Sequence, residues 1–130
     1  MANWKTPEDL KYAKSDEWFR VEGDVVTIGI SDYAQDQLSD IVYVEMPDVG
    51  STLSAGGSVG VVESVKAASD VYTAVGGEVI EVNSQLEKEP ELVNSDPFGK
   101  GWFIKLRVKD LSPLDGLMNA AAYVEFCSSR

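Results

Sequence analysis

The sequence predicts a mainly β fold, a sandwich or flattened barrel with short flanking helices and a C-terminal helix. Three observations carry this expectation. Short runs of branched and aromatic residues recur along the chain, glycine and proline separate them at close spacing, and helical composition is confined to brief stretches and the final segment. The 130 residues fit one domain spanning 1–130 better than two, and a chain of this length buries a core without a metal or disulfide staple.

Glu17-Trp-Phe-Arg-Val-Glu22 and Val25-Val-Thr-Ile-Gly-Ile30 read as strands joined at Gly23-Asp24, a hairpin. Ser31 and Asp32 are N-cap candidates for a short helix over Tyr33–Leu38. Ile41–Glu45 reads as a strand closed by Pro47 and Gly50. Ser58–Glu63, Ser69–Thr73 and Glu78–Val82 follow as strands, with sharp bends at Gly56-Gly57 and Gly76-Gly77. Pro90 and Asn94–Gly99 form a loop region ahead of a strand over Trp102–Val108. The Ala- and Leu-rich stretch Leu114–Phe126 is expected to be helical.

Composition narrows the function classes. The net charge is −11, which repels phosphate backbones, argues against nucleic acid and steers the chain towards basic patches on partner proteins. No apolar run approaches the roughly 20 residues of a membrane-spanning helix, so no membrane role is expected. Met1–Leu10 lacks the character of a signal or transit peptide, so the chain reads as cytoplasmic, or as a processed organelle protein. There is no histidine, hence no Ser–His–Asp or Cys–His arrangement and no Cys/His cluster for a metal. The single cysteine, Cys127, is expected to be a small apolar side chain on the C-terminal helix. A stand-alone enzyme is the least favoured reading.

The most informative stretch is Val61-Val-Glu-Ser-Val-Lys-Ala-Ala-Ser-Asp-Val-Tyr72. One lysine, Lys66, lies between two β-prone runs, and its nearest basic neighbours along the chain are Arg20 and Lys88. A lysine on a tight turn offers its amine to an enzyme that must enclose and acylate it. Acylation removes the charge, and a flexible arm on a rigid hairpin raises the effective concentration of its reactive end at a docked partner. An isolated lysine alone is more often a solvated turn residue, so the wider pattern must decide.

That pattern resembles the glycine cleavage H-protein family. Val61-Val-Glu-Ser-Val-Lys-Ala-Ala-Ser-Asp70 is similar to the family's lipoylation segment. Glu17-Trp18 with Val21-Glu-Gly23 resembles its early hairpin, and Val26-Thr-Ile-Gly-Ile-Ser-Asp-Tyr-Ala-Gln35 its second strand and short helix. Gly77–Asn83, Pro90–Asn94 and Gly101–Lys105 continue the series in order, so the resemblance covers roughly residues 10–127.

The resemblance implies a lipoyl-domain-like barrel-sandwich hybrid and a non-catalytic carrier, with lipoic acid in amide linkage to Lys66. It implies an aminomethyl group taken from a pyridoxal-phosphate glycine decarboxylase (P protein) to a tetrahydrofolate-dependent aminomethyltransferase (T protein). Dihydrolipoamide dehydrogenase (L protein) then reoxidises the arm, and a lipoate ligase or a lipoyl/octanoyl transferase attaches it. A monomer is expected. The loaded arm ends in a cation open to hydrolysis, and Ser15, Glu17 and Asp70 match positions lining a protective cleft in the family. Glu63 and Ser64 are candidates for recognition by the lipoylating enzyme. The chain departs from the pattern at Asp16, where members often carry histidine.

Two neighbouring readings are less favoured. Biotin-carrier tips place methionine on both sides of the lysine, whereas Val65 and Ala67 stand there. An adaptor without a cofactor is expected to lose the acceptor lysine, which this chain retains. A lipoate-relay role is compatible as an addition. Trp18, Tyr43, Trp102 and Phe103 are read as core and strand packing.

Overall fold

In the computed structural model, which describes residues 4–130, two antiparallel sheets share one apolar core. The strands are β1 (Lys11–Tyr12), β2 (Glu17–Glu22), β3 (Val25–Ile30), β4 (Ile41–Glu45), β5 (Thr52–Leu53), β6 (Ser58–Ser64), β7 (Ala68–Tyr72), β8 (Gly77–Val82) and β9 (Ile104–Arg107). A six-stranded sheet runs β1-β2-β3-β9-β8-β5 and a three-stranded sheet runs β4-β6-β7. The result is a barrel-sandwich arrangement whose ladders do not close into a ring. The helices are α1 (Asp32–Leu38), α2 (Gln85–Lys88), α3 (Leu92–Ser95) and α4 (Ala120–Ser128). Of the segment Met1–Leu10, residues 1–3 lie outside the described residues.

The β2–β3 hairpin pairs Glu22 with Val25 across the two-residue turn Gly23-Asp24. Gly23 has φ 66°, the positive value that the first central residue of a hairpin turn favours. Alternation along β2 then sets the architecture. Phe19 joins the core between the sheets, while Trp18 faces the other way into a second cluster with Leu10, Tyr12, Ala120, Tyr123 and Cys127. That second cluster seats α4 on the large sheet, with Tyr12 and Tyr123 stacked at 4.6 Å. Gly29 lies opposite Trp18, and a Cβ there would come within 2.6 Å of the indole.

Two irregularities shape the small sheet. Val59 and Val62 are both buried although three residues apart, which strict alternation forbids. The register shifts between Ser58 and Gly60, and the extra residue resets the alternation. The same happens in β4, where Ile41 and Val44 are buried and the register shifts between Ile41 and Tyr43. As a result Val42 and Tyr43 are both exposed, so Tyr43 is not the packing residue expected.

The structure corrects several boundaries. The stretch expected to be helical from Leu114 begins with a 3₁₀ turn over Ser112–Gly116, and Met118 is extended and exchanges backbone hydrogen bonds with Tyr12. The helix itself starts at Ala120, because the Asn119 side chain accepts the Ala122 N–H at 2.9 Å and caps it. The region around Pro90 holds the single-turn helices α2 and α3. The strand expected over Trp102–Val108 pairs regularly only from Ile104 to Arg107. Among the described residues no helix is long and apolar enough to cross a membrane.

Candidate functional site

β6 and β7 form a hairpin whose tip is Val65-Lys66-Ala67. Ser64 builds the turn. Its Oγ accepts the N–H groups of Lys66 at 3.2 Å and Ala67 at 3.0 Å, and its hydroxyl lies 3.0 Å from the Ala67 carbonyl as donor. Ser64 N–H donates to the same carbonyl at 2.8 Å. The other side is tied down by Val65 N–H, which donates to the Asp40 carbonyl at 3.0 Å. The backbone of the tip is therefore fixed while its side chains stand free: Val65 is 68% exposed and Lys66 is exposed.

Among the described residues the Lys66 ammonium forms no ion pair, and its polar contact is a long one, 3.5 Å to the Gln37 carbonyl at the end of α1. Gln37 also lines an open cleft of about 300 Å³ between α1, the start of β2 and β7. Apolar walls come from Ile30, Ala34, Leu38, Val62 and Val71; polar ones come from Ser15, Asp16, Glu17, Asp70 and Arg130. The structure thus brings Ser15, Glu17 and Asp70 to one cleft and sets the Lys66 amine at its rim. Glu63 lies outside it, on β6 between Tyr43 of β4 and Ala68 of β7.

Glu17 is not a solvated acid. It shares the parity of Phe19 along β2, so its side chain points between the sheets and is 1% exposed. Ser15 donates its hydroxyl to Oε1 and the Tyr72 N–H donates to Oε2 at 3.0 Å. Burial raises its pKa above the ordinary carboxylate value, against the lowering effect of these two hydrogen bonds. Asp70, by contrast, is exposed and accepts the Tyr72 hydroxyl at 3.3 Å.

Sequence reasoning missed three supports of this site. Asn94 on α3 accepts the Ile41 N–H and donates to the Ser39 carbonyl and the Gln35 side chain, each at 2.9 Å. It thereby fixes the turn whose Asp40 carbonyl holds Val65. Tyr123 donates to Asp16 Oδ1 at 2.8 Å, and burial followed by the Asp16 charge raises its phenol pKa. Arg130 pairs with the same carboxylate. Asn94 lay within a stretch resembling the family; the partners of Asp16 had no local signal. Cys127 is buried and unpaired on α4, as a small apolar side chain would be.

The tip and the cleft beside it suit an acylated lysine. The acceptor amine is exposed, the backbone beneath it is rigid, and a cleft with apolar walls and acid groups opens beside it. Among the described residues no group of His, Cys, Asp and Glu is arranged to hold a metal ion.

Comparison with known proteins identifies the family. The family described as "Glycine cleavage H-protein" matches residues 10–130. A glycine cleavage system H protein from Parvibaculum lavamentivorans is 58% identical over 121 residues, covering 93% of this chain and 97% of that one. The counterpart from Thermus thermophilus is 54% identical over 124 residues, covering 95% and 97%. The crystal structure of a glycine cleavage system H protein from Mycobacterium marinum superposes with a TM-score of 0.83 at 34% identity, covering 92% of this chain and 96% of that one. With two sheets, a β6–β7 tip and this extent of likeness, the chain belongs to the glycine cleavage H-protein family.

Proposed function

We propose that the chain is the lipoyl carrier of a glycine cleavage system, with lipoic acid in amide linkage to Lys66. The observation that carries this reading is the exposed Lys66 amine on a hydrogen-bonded tip at the rim of the acid-lined cleft. The attached group supplies a disulfide–dithiol pair that accepts, holds and gives up a one-carbon amine. The chain's own residues position and shelter it. The Ser64 turn holds the acceptor lysine away from the sheet, and the Gln37 end of α1 leads from the lysine into the cleft.

Inside, Ile30, Ala34, Leu38 and Val71 would cover the arm's hydrocarbon. Ser15, Glu17 and Asp70 would face a cationic amine at its end. A cation beside the buried Glu17 carboxyl would favour its carboxylate form, against the burial that raises its pKa. Charge-assisted hydrogen bonds in a sheltered site are stronger than those in open water. Glu63 and the exposed Val65 flank the lysine, where a lipoate ligase or a lipoyl/octanoyl transferase would read the tip.

By this reading the chain serves the P, T and L proteins in turn as an acidic carrier and performs no catalysis itself. The test is incubation with a lipoate ligase and lipoate, followed by mass analysis and the glycine–bicarbonate exchange assay with P protein. The parent chain gains one lipoyl mass on Lys66 and supports exchange; Lys66→Arg loses both. Exchange that persists in Lys66→Arg overturns the reading.

A further inference from the structure

Arg130 follows α4 and reaches back over the cleft. Its guanidinium takes both carboxylate oxygens of Asp16, at 2.5 Å to Oδ1 and 3.0 Å to Oδ2. It also lies 4.3 Å from the ring centre of Tyr33 and 4.7 Å from that of Phe126. The Tyr123 hydroxyl is the third donor to Asp16, and Ser31 Oγ lies 2.6 Å from that hydroxyl. Asp16 holds a positive φ of 78°, and its carbonyl accepts the Ser31 N–H, so its carboxylate leaves the turn in a fixed direction. The two side chains are only 29% and 15% exposed, so the pair is screened less than a surface ion pair.

We propose that Arg130 is a charge-setting residue of this cleft: by neutralising Asp16 it limits the cleft's hold on a cationic cargo, so that the carrier shelters the cargo without trapping it. The proposal rests on the carrier reading above. Of the charged side chains lining the cleft, Asp16 and Arg130 cancel, which leaves Glu17 and Asp70 to face an amine. Losing the guanidinium makes the cleft one charge more negative; losing the Asp16 charge makes it one charge more positive. A plain structural brace would respond in the same sense to either loss, and a charge setter responds in opposite senses. Arg130 acts through Asp16 and is therefore a positioning residue. The polar and charged groups that touch Glu17 or share its cleft are Ser15 and Asp16 before it, Ser69, Asp70 and Tyr72 from β7, Tyr33 and Gln37 from α1, and Arg130 beyond α4, with Tyr123 behind Asp16.

The first measurement uses the protein without its arm. Carboxyl carbon NMR follows Glu17 in the parent, Arg130→Gln, Asp16→Asn, the double variant and Arg130→Lys. The Glu17 midpoint rises in Arg130→Gln and falls in Asp16→Asn, while the double variant and Arg130→Lys stay close to the parent. The second measurement uses lipoylated protein carrying the aminomethyl group. Spontaneous loss consumes one water, whose oxygen becomes the carbonyl oxygen of formaldehyde; the carbon–sulfur and carbon–nitrogen bonds both break, and thiol, formaldehyde and ammonium are released. At low salt Arg130→Gln slows this loss and Asp16→Asn speeds it, each by roughly two- to fivefold, and about 1 M salt shrinks both effects.

Shifts in the same direction for both single variants, in either measurement, overturn the proposal, as does a Glu17 midpoint unmoved in all. Opposite NMR shifts in a chain that cannot be lipoylated refute the carrier reading and leave the charge-setting role in place. Should Asp16→Asn fail to fold, Arg130→Gln decides alone: slower, salt-sensitive loss supports the role, and unchanged or faster loss overturns it.

Discussion

Glu17 on β2 accepts the backbone N–H of Tyr72 on β7 at 3.0 Å, so one buried carboxylate ties the large sheet to the small one at the floor of the cleft. The Tyr72 hydroxyl in turn donates to Asp70, so Glu17 and Asp70 share one support. Glu17, proposed above to face the cargo, is a joint of the fold.

The role as a joint separates two substitutions. Glu17→Gln keeps an oxygen for the Tyr72 N–H and offers its amide to Ser15 Oγ, a loss of about 1 kcal/mol or less. Glu17→Ala leaves the Tyr72 amide without its acceptor and opens a void, a loss of about 2–3 kcal/mol. The pH dependence is distinctive. Because burial raises the Glu17 pKa, the folded state binds that proton more tightly than the unfolded state does. The associated stabilisation is fully present below the unfolded carboxylate pKa and is lost as pH rises through the folded value. Glu17→Gln has no such proton to lose, so its stability relative to the parent improves across that window. Urea unfolding at a series of pH values checks this; parallel profiles for the two proteins refute it.

Asn94 is predicted to govern the rigidity of the tip from a distance. Two of its amide's three hydrogen bonds fix Ser39 and Ile41, the third holds Gln35, and Asp40 between Ser39 and Ile41 holds Val65. Asn94→Asp removes both donated bonds and sets a charge against the Ser39 carbonyl, with a loss of about 2–3 kcal/mol. Hydrogen exchange at the Val65 amide should quicken more than exchange in β3. Uniform quickening would mean that the change acts on global stability alone.

Gly60 tests the bulge that resets β6. Its φ is 149°, and a Cβ there would meet the Glu45 carbonyl oxygen at 1.9 Å. Backbone cannot yield as a flexible side chain can, so Gly60→Ala must either undo the bulge or part β4 from β6. Either change disturbs the burial of Val59 and Val62 together, at about 2–4 kcal/mol. A shift of the urea midpoint measures it, and a midpoint within error of the parent's would show that the small sheet absorbs the methyl group.

What was legible in sequence was local. The β2–β3 hairpin shows both alternation and turn chemistry within fourteen residues of chain, Glu17 to Ile30, and it forms as expected. Ser31 acts as the helix cap because capping needs only its own neighbours. By contrast β1 and β5 have two residues each and exist only through their partners, so nothing in their own composition announces them. The helix expected from Leu114 was misplaced because Ala- and Leu-rich composition marks a helix but Asn119 decides where it starts. In the site, isolation between strands made Lys66 visible, and resemblance to a family pointed to Ser15, Glu17 and Asp70. The burial of Glu17 follows from packing two sheets together. The pairing of Asp16 with Arg130 spans 114 positions, beyond the reach of any local pattern.

Ser64 gives the sharpest test of the tip as a presented feature. Its hydroxyl oxygen accepts the Lys66 and Ala67 N–H groups, and its hydrogen faces the Ala67 carbonyl, all outside the core. Removing the hydroxyl leaves these exposed groups to water, so Ser64→Ala loses about 1 kcal/mol or less and melts close to the parent. The turn, however, loses what defines the direction of the lysine. A modifying enzyme must then order the tip itself, and fixing even one residue's backbone costs roughly 1–2 kcal/mol. The rate of lipoylation at limiting carrier should therefore fall roughly five- to thirtyfold, with Ser64→Thr restoring much of it because the hydroxyl returns. Time-resolved mass analysis with a lipoate ligase measures the rate. An undiminished rate in Ser64→Ala would mean that the enzyme reads the flanking Glu63 and Val65 without needing a preformed turn.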